Sequence, residues 1–178
     1  MDTPFLILID GPMGSGKTTT SKLLNHTLPD TARVALPDIK RLIPNYGENR
    51  QTLHVIREVM TAMIDKYLEH GVSVVLEQIS QADSVDALRA LALKHNAQFY
   101  PYRLTASKDI RWQRVQDRTK EMMDVSILPP EKIETLDGFF VPNHQFYLDN
   151  QIEGAEIINT EDLTPDDVVR LLVSKISL

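Results

Sequence analysis

The chain has 178 residues and a mass of 20.2 kDa, which is the size of one globular domain. Hydrophobic residues make up 42% of the sequence and charged residues 25%, which excludes disordered, collagen-like and disulfide-scaffold proteins. The chain has no cysteine, so a thiolate nucleophile and a cysteine-type zinc site are excluded, and its net charge of −6 disfavours binding to bulk nucleic acid or anionic membranes.

The first predicted elements alternate between strand and helix. The apolar run 5–9 is continuous, which is typical of a strand buried on both faces of a parallel sheet. This run is too short for a signal-peptide core or a membrane span, so we expect a soluble cytoplasmic protein. A helix over 17–28 and a second strand over 32–36 follow, and Pro37-Asp38 is predicted to form a turn.

The alternation continues to the C terminus. Apolar residues at spacings of three and four predict a long helix over 51–70, which ends before Gly71. The next predicted elements are a strand over 72–76, a helix over 85–94, a strand over 98–105, a helix over 107–122 and a strand over 155–158. A hydroxyl, a proline and two acids at Thr164–Asp167 predict the start of a final helix.

This order of elements predicts an α/β protein with a five-stranded parallel sheet covered by helices on both faces. We expect one domain over 1–178, with ligands bound beyond the carboxyl ends of the strands. The segment that carries Pro129-Pro130, Gly138 and Pro142 is predicted to be irregular and mobile. We assign a lid to about 119–145 on that basis.

The clearest motif lies between the first strand and the first helix. Residues 11–18 read Gly-Pro-Met-Gly-Ser-Gly-Lys-Thr, which matches G-x-x-x-x-G-K-[ST] in the context that this motif requires. Backbone N–H groups of such a loop bind phosphate, and the following helix adds its positive end. We expect Lys17 to reach the β- and γ-phosphates and the Thr18 hydroxyl to bind Mg²⁺.

With this loop, the chain resembles small P-loop kinases such as gluconate and shikimate kinases, chloramphenicol phosphotransferase, zeta-type toxins and polynucleotide 5′-kinases. The resemblance implies a three-layer P-loop NTPase fold, the strand order 2-3-1-4-5, a lid, and ATP with Mg²⁺ as cofactors. The residues expected to bind ATP or its phosphates are Gly11, Met13, Gly14, Ser15, Gly16, Lys17, Thr18, Thr19 and Arg114.

Two carboxylates compete for the role of general base on the acceptor side. Asp38 and Arg41 resemble the Asp-x-x-Arg that several of these kinases place over the acceptor, where the acid would orient a hydroxyl and the arginine would clamp an anionic group. Glu77 ends the third predicted strand, where small kinases often keep an acid. Asp38, Arg41 and Glu77 could instead be a helix cap, a solvated arginine and a solvated strand end.

Three arginines at spacings of three and four, Arg111, Arg114 and Arg118, are predicted to share one helix face. The Arg114–Arg118 pair resembles the lid-hinge signature of these kinases, in which one arginine contacts the transferring phosphate and another packs on adenine. The alternative interpretation is that these arginines lie on a helix face that is simply exposed to solvent. Asn159-Thr160 is expected beside adenine, and His144 on the surface. The five histidines share no metal-ligand spacing.

The sequence thus predicts an ATP-dependent phosphotransferase that acts on a hydroxyl of a small molecule, with Lys17, Asp38, Glu77, Arg114 and Arg118 as its catalytic residues. One alternative is a nucleoside or polynucleotide 5′-hydroxyl kinase, whose acceptor groove would be made basic by Arg33, Lys40, Arg41 and Arg50. The other alternative is a non-catalytic ATP-binding switch. The acceptor and the oligomeric state are not determined by the sequence.

Overall fold

The computed structural model describes residues 3–43, 50–78 and 82–176. Its elements in chain order are β1 (Phe5–Asp10), α1 (Lys17–Thr27), β2 (Thr31–Ala35), α2 (Leu36–Arg41), α3 (Arg50–Glu69), β3 (Ser73–Glu77), α4 (Ala82–Lys94), β4 (Gln98–Thr105), α5 (Lys108–Met123), α6 (Pro130–Asp149), β5 (Glu156–Asn159) and α7 (Pro165–Val173). The strands form one parallel sheet in the order β2-β3-β1-β4-β5. This sheet confirms the expected three-layer α/β P-loop fold.

The central strand β1 explains why the sheet is covered on both faces. Every residue of β1 is buried, and successive side chains point to opposite faces. Leu6 and Leu8 pack in one apolar core with residues of α3 and α4. Ile7 and Ile9 pack in a second core with residues of α1 and α7. A continuous apolar run is therefore what this position in the sheet requires.

The carboxyl ends of the central strands meet at one edge of the sheet. Ile9 of β1 pairs with Glu77 of β3, and Glu77 pairs in turn with Ala35 of β2. The loop after β1, the acid that ends β3 and the helix after β2 are consequently neighbours. This edge is where an open parallel sheet binds its ligands.

Two segments differ from the sequence prediction. The residues Pro37-Asp38 belong to the short helix α2 rather than to a turn, since a proline in the first helical turn needs no N–H partner. The segment predicted to be irregular contains the 20-residue helix α6, which begins at Pro130 and carries Pro142 in its interior. Within the described residues, no helix combines the length and apolar character needed to span a membrane.

Candidate functional site

The loop between β1 and α1 has the backbone conformation of an anion-binding loop. Gly14 and Gly16 have φ of 81° and 95°, which favour glycine, and a Cβ on Gly14 would come within 2.4 Å of the Arg111 carbonyl oxygen. Gly16 precedes α1 without any side-chain cap. The first N–H groups of α1 therefore lack an intrahelical partner and remain available to a ligand.

Lys17 lies half-buried at the start of α1, and its Nζ donates to the Pro12 carbonyl oxygen at 3.0 Å. Burial lowers the pKa of Lys17 to about 8, although the nearby carboxylates of Asp10 and Glu77 act in the opposite direction. The ammonium group is thus placed in the loop at a position where an anionic ligand would stabilise its charge.

The hydroxyl of Thr18 is joined directly to the acid that ends β3. Thr18 Oγ1 donates to Glu77 Oε1 at 2.5 Å, and Ser21 Oγ donates to Glu77 Oε2 at 2.7 Å. Glu77 is 2% exposed, and Arg33 Nη2 donates to its Oε2 at 2.5 Å. A hydroxyl and a carboxylate are the hard oxygen ligands that Mg²⁺ prefers, so Thr18 and Glu77 fit the expected metal.

The two residues predicted to bind the acceptor, Asp38 and Arg41, lie together on α2. Asp38 was expected to face the acceptor, but its carboxylate pairs with two arginines. Asp38 Oδ1 accepts from Arg41 at 2.6 Å and its Oδ2 accepts from Arg33 at 2.5 Å. The described residues that line the cleft on this side are Leu36, Pro37, Lys40, Arg41, Glu77 and Gln78. Asp38 is not among them, but its partner Arg41 is.

Arg33 was expected in a basic acceptor groove, and the structure instead turns it inward. Its side chain is only 15% exposed and lies between Glu77 and Asp38, with Nε donating to Ser21 Oγ at 2.9 Å. Because its charge is matched by two carboxylates, Arg33 adds little positive potential to the cleft. The Arg50 side chain, predicted in the same groove, lies outside the part of the chain that the structure describes.

The three arginines of α5 have three different environments. Arg111 is 2% exposed and donates to the carbonyl oxygens of Ala106 and Met13 at 3.1 and 3.2 Å. Arg114 lines the cleft and donates to Thr160 Oγ1 at 3.0 Å and to the Thr160 carbonyl oxygen at 2.8 Å. Arg118 is exposed, lines the cleft and has no hydrogen bond or ion pair with the described residues. Of these three arginines, Arg118 is the one whose guanidinium has no partner among the described residues and is therefore available to a ligand.

A single open cleft of about 790 Å³ joins these groups. The phosphate loop forms its floor, and α2 forms the wall on the acceptor side. The opposite wall consists of Leu163, Pro165 and Val168, together with Thr160 and the arginines of α5. Apolar side chains beside a phosphate loop suit a nucleotide base, so Thr160 lies on the side where adenine is expected. Met13, Gly14, Ser15, Gly16, Lys17, Thr18 and Thr19 also border this cleft.

The contacts that α6 makes with the loop were not predicted from the sequence. Met13, expected among the phosphate ligands, donates its N–H to Asn143 Oδ1 at 2.6 Å. His144, expected on the surface, is half-buried and accepts from Arg111 Nη2 through Nδ1 at 2.8 Å. Burial, together with the positive charges of Arg111 and Lys108, lowers the pKa of His144, which favours the neutral ring that can accept. No local pattern signals these pairs, because they join residues far apart in the chain.

A buried network behind the loop was also missed. Asp10 is fully buried; its Oδ2 accepts from Arg103 Nε at 2.9 Å, and its Oδ1 accepts from the Tyr147 hydroxyl at 2.8 Å. Arg103 also donates to the Asn150 carbonyl oxygen at 2.6 Å. The end of α6 is thereby tied to the last residue before the loop. The sequence did contain one indication of this network, because Asp10 places a carboxylate directly after the apolar run 5–9.

Comparisons with known proteins agree with this geometry. A family model described as an AAA domain matches residues 6–142. A candidate kinase from Chloroflexus aurantiacus is similar in structure, with 15% identity, a TM-score of 0.69 and coverage of 99% of this chain and 100% of that chain. Shikimate kinase from Bacteroides thetaiotaomicron is similar with 16% identity, a TM-score of 0.59 and coverage of 96% and 97%.

A chain of the Pnkp1/Rnl/Hen1 RNA repair complex is similar over a smaller part of its length. The identity is 18% and the TM-score is 0.61, with coverage of 84% of this chain and 46% of that chain. No curated protein sequence matches the chain. The solved structures, all below 25% identity, establish the fold, and the family model extends over most of the sequence and includes the complete phosphate loop. The chain therefore belongs to this AAA-domain family of P-loop proteins.

Proposed function

We propose that the protein is an ATP-dependent phosphotransferase that moves the γ-phosphoryl group to a hydroxyl of a small-molecule acceptor. The observation that carries this proposal is the continuity of the cleft: the phosphate loop lies between an apolar wall suited to adenine and a polar, partly cationic wall on α2. Transfer between two bound molecules requires two such compartments with a phosphate site between them.

The loop residues would bind and orient the donor. The free N–H groups at the start of α1 hold the phosphates, and Lys17 contributes its positive charge to the β- and γ-phosphates. Arg118 has no ionic partner among the described residues and lines the cleft. Its guanidinium would stabilise the negative charge that spreads over the γ-phosphoryl oxygens in the transition state. Thr18 and Glu77 would hold Mg²⁺, which offsets phosphate charge when bound.

The acceptor would enter along α2. Both carboxylate oxygens of Glu77 are engaged by the donors of Thr18, Ser21 and Arg33, so we assign Glu77 to Thr18 and the donor rather than to the acceptor hydroxyl. Asp38 holds Arg41 in place at the other wall. The reaction needs little general-base catalysis, because the transition state of phosphoryl transfer is largely dissociative.

The test is an ADP-release assay with ATP and Mg²⁺ against nucleosides, sugars, aminoglycosides, chloramphenicol-like compounds and short oligonucleotides. We expect one small acceptor to raise ADP release far above the rate without acceptor, and we expect the Lys17→Ala variant to be inactive with an intact fold by circular dichroism. Phosphorylation of oligonucleotides alone would favour the polynucleotide kinase. Tight ATP binding without release of ADP under any condition would favour the switch module.

A further inference from the structure

Arg111 is a buried cation directly behind the phosphate loop, and only 2% of the residue is exposed. Its guanidinium has no carboxylate partner in the part of the chain that the structure describes. Instead, Nε donates to the Ala106 carbonyl oxygen at 3.1 Å, Nη1 donates to the Met13 carbonyl oxygen at 3.2 Å and Nη2 donates to His144 Nδ1 at 2.8 Å. A charge buried without an opposite charge is costly, so its position beside the loop calls for a functional explanation.

The backbone of Arg111 lies against the same part of the loop. A Cβ added to Gly14 would come within 2.4 Å of the Arg111 carbonyl oxygen and within 2.9 Å of the Arg111 Cα. The side chain of Arg111 therefore binds Met13, while its main chain packs on Gly14. These two loop residues share one peptide group, which Arg111 holds against α5.

The contact with the Met13 carbonyl sets the direction of the next N–H. The described residues contain no cis peptide bond, and in a trans peptide the carbonyl and the following N–H point in opposite directions. The Gly14 N–H consequently points away from the Arg111 guanidinium. Gly14 borders the cleft and Arg111 does not. Because this N–H makes no hydrogen bond with the described residues, it is available to a ligand on the side opposite Arg111.

The charge of Arg111 acts on the same site. It contributes to the lowered pKa of Lys17, although burial is the larger cause. The guanidinium therefore lies close enough to act electrostatically on the ammonium group that is expected to bind the phosphates. A cation that donates to a carbonyl oxygen also polarises the peptide and makes its N–H a stronger donor. An anion in the loop would supply the opposite charge that the described residues do not give to Arg111.

We infer that Arg111 is a positioning residue that holds the Met13–Gly14 peptide from the buried side, so that the Gly14 N–H faces the phosphates of the bound nucleotide. This inference rests on the proposed function. It gives Arg111 a role that differs from the one expected of Arg114 and Arg118, because Arg111 acts through the backbone of the loop and does not contact the nucleotide.

The first test uses the wild-type protein and follows its backbone amide protons by NMR. Inorganic tripolyphosphate with Mg²⁺ is the probe, because it offers the phosphates of ATP without the base. We expect the amide proton of Gly14 to move downfield together with those of Gly16 and Lys17, since a proton donated to phosphate is deshielded. A Gly14 signal that stays in place while the other two move would overturn the inference and leave the proposed function intact.

The second test measures MgATP affinity by calorimetry for Arg111→Met and Arg111→Lys between pH 7 and pH 9. At pH 7 we expect roughly ten- to a hundredfold weaker binding for Arg111→Met and a smaller loss for Arg111→Lys, which keeps the charge. Loss of this charge should also move the decline of affinity to higher pH in Arg111→Met, because the pKa of Lys17 then rises. Arg111→Lys should not move it. The other charged groups that act on Lys17, which are Asp10, Glu77 and Arg118, are unchanged in both variants.

Arg89→Met is the matched control. The Arg89 guanidinium donates to the Glu153 carbonyl oxygen at 3.3 Å and lies 5.4 Å from the centroid of the Phe99 ring, much as Arg111 lies 5.2 Å from that of Phe140. Arg89 makes no hydrogen bond with the phosphate loop, so this change should leave MgATP affinity and its pH dependence unaltered.

Unchanged MgATP affinity in Arg111→Met would overturn the inference, and so would weaker affinity with an unshifted pH dependence, which is the result expected of a purely structural residue. Circular dichroism establishes that each variant is folded, and the Gly14 signal of the wild-type protein decides the inference if Arg111→Met does not fold. Absence of both tripolyphosphate and ATP binding to the wild-type protein would remove the proposed function, and the inference with it.

Discussion

Lys17 combines a position in the phosphate loop with a pKa lowered to about 8 by burial. The protonated form binds a triphosphate better than the neutral amine, so affinity follows the protonation of this group. Between pH 7 and pH 9 the protonated fraction falls about tenfold for a pKa near 8. We therefore expect the dissociation constant of MgATP, measured by calorimetry, to rise by up to roughly tenfold over this interval.

The Lys17→Arg variant is the control for this pH dependence, since a guanidinium stays protonated throughout the range. Its MgATP affinity should be weaker at pH 7 but nearly constant up to pH 9. A wild-type affinity that does not change with pH would show that the ammonium of Lys17 does not contribute to binding in the way we describe.

The two carboxylates of the site should respond differently to loss of charge. Glu77→Gln removes the negative charge and replaces one of the two oxygens that accept from Thr18, Ser21 and Arg33 with an NH₂ donor, so we expect a loss of about 1–3 kcal/mol in the free energy of unfolding and weaker Mg²⁺-dependent ATP binding. Asp38→Asn changes a half-exposed group, so we expect a loss below about 1 kcal/mol and nearly normal MgATP affinity.

Urea unfolding and calorimetry measure both effects on the same two proteins. Once an acceptor is known, Asp38→Asn should raise its KM through the loss of the Arg41 contact. The assignment of Glu77 to the donor side would be wrong if Asp38→Asn, and not Glu77→Gln, abolished the Mg²⁺-dependent part of ATP binding.

At the scale of elements, α6 has an interior weak point beside its functional contacts. Pro142 has no N–H to offer to the Gly138 carbonyl oxygen one turn earlier. Asn143, which contacts the loop, and His144, which contacts Arg111, follow immediately. α6 therefore lacks one backbone hydrogen bond immediately before the residue that contacts the loop.

Replacement of Pro142 by alanine should restore this hydrogen bond. We expect the free energy of unfolding to rise by about 1–3 kcal/mol and amide exchange over residues 138–142 to slow. Pro165→Ala is the matched control, because Pro165 occupies the first position of α7, where no hydrogen bond is regained. Equal stabilisation by both changes, or none by Pro142→Ala, would argue against a weak point at this proline.

The segment predicted to be a lid also shows where sequence patterns are insufficient. Pro129-Pro130, Gly138 and Pro142 indicated irregular structure, but Pro130 is the first residue of α6, and the tertiary contacts of Tyr147 and Phe140, both buried, outweigh the cost of the interior proline. The spacing of the α5 arginines correctly placed them on one helix face. Spacing alone could not show that α6 covers Arg111 and leaves Arg118 exposed.

At the scale of the whole molecule, the fold was predictable because the apolar pattern, the glycine-rich motif and the family resemblance all indicated the same structure. The apolar run 5–9 required a doubly buried strand, the glycine-rich motif required a turn into a helix, and the resemblance supplied the strand order. The acceptor wall was less predictable. Arg33 reads as a basic surface residue, and only the pairing of β2 with β3 brings it between two carboxylates.

The overall charge of −6 leads to a prediction about the class of acceptor. Transfer to a small acceptor should change by less than about threefold between 50 and 200 mM KCl. Transfer to an oligonucleotide held by several phosphate contacts would fall roughly tenfold or more over the same range. ADP-release rates at four salt concentrations distinguish the two, and a steep decline would favour the polynucleotide kinase.

The central claim is that residues 11–18 bind the phosphates of a nucleoside triphosphate, with Lys17 as the principal cation. Calorimetric titration of MgATP into the wild-type protein and the Lys17→Ala variant, at pH 7, tests it most directly. We predict binding in the micromolar range for the wild-type protein and at least tenfold weaker binding for the folded variant. The absence of binding heat with the wild-type protein, or equal affinity of the two proteins, would contradict the claim.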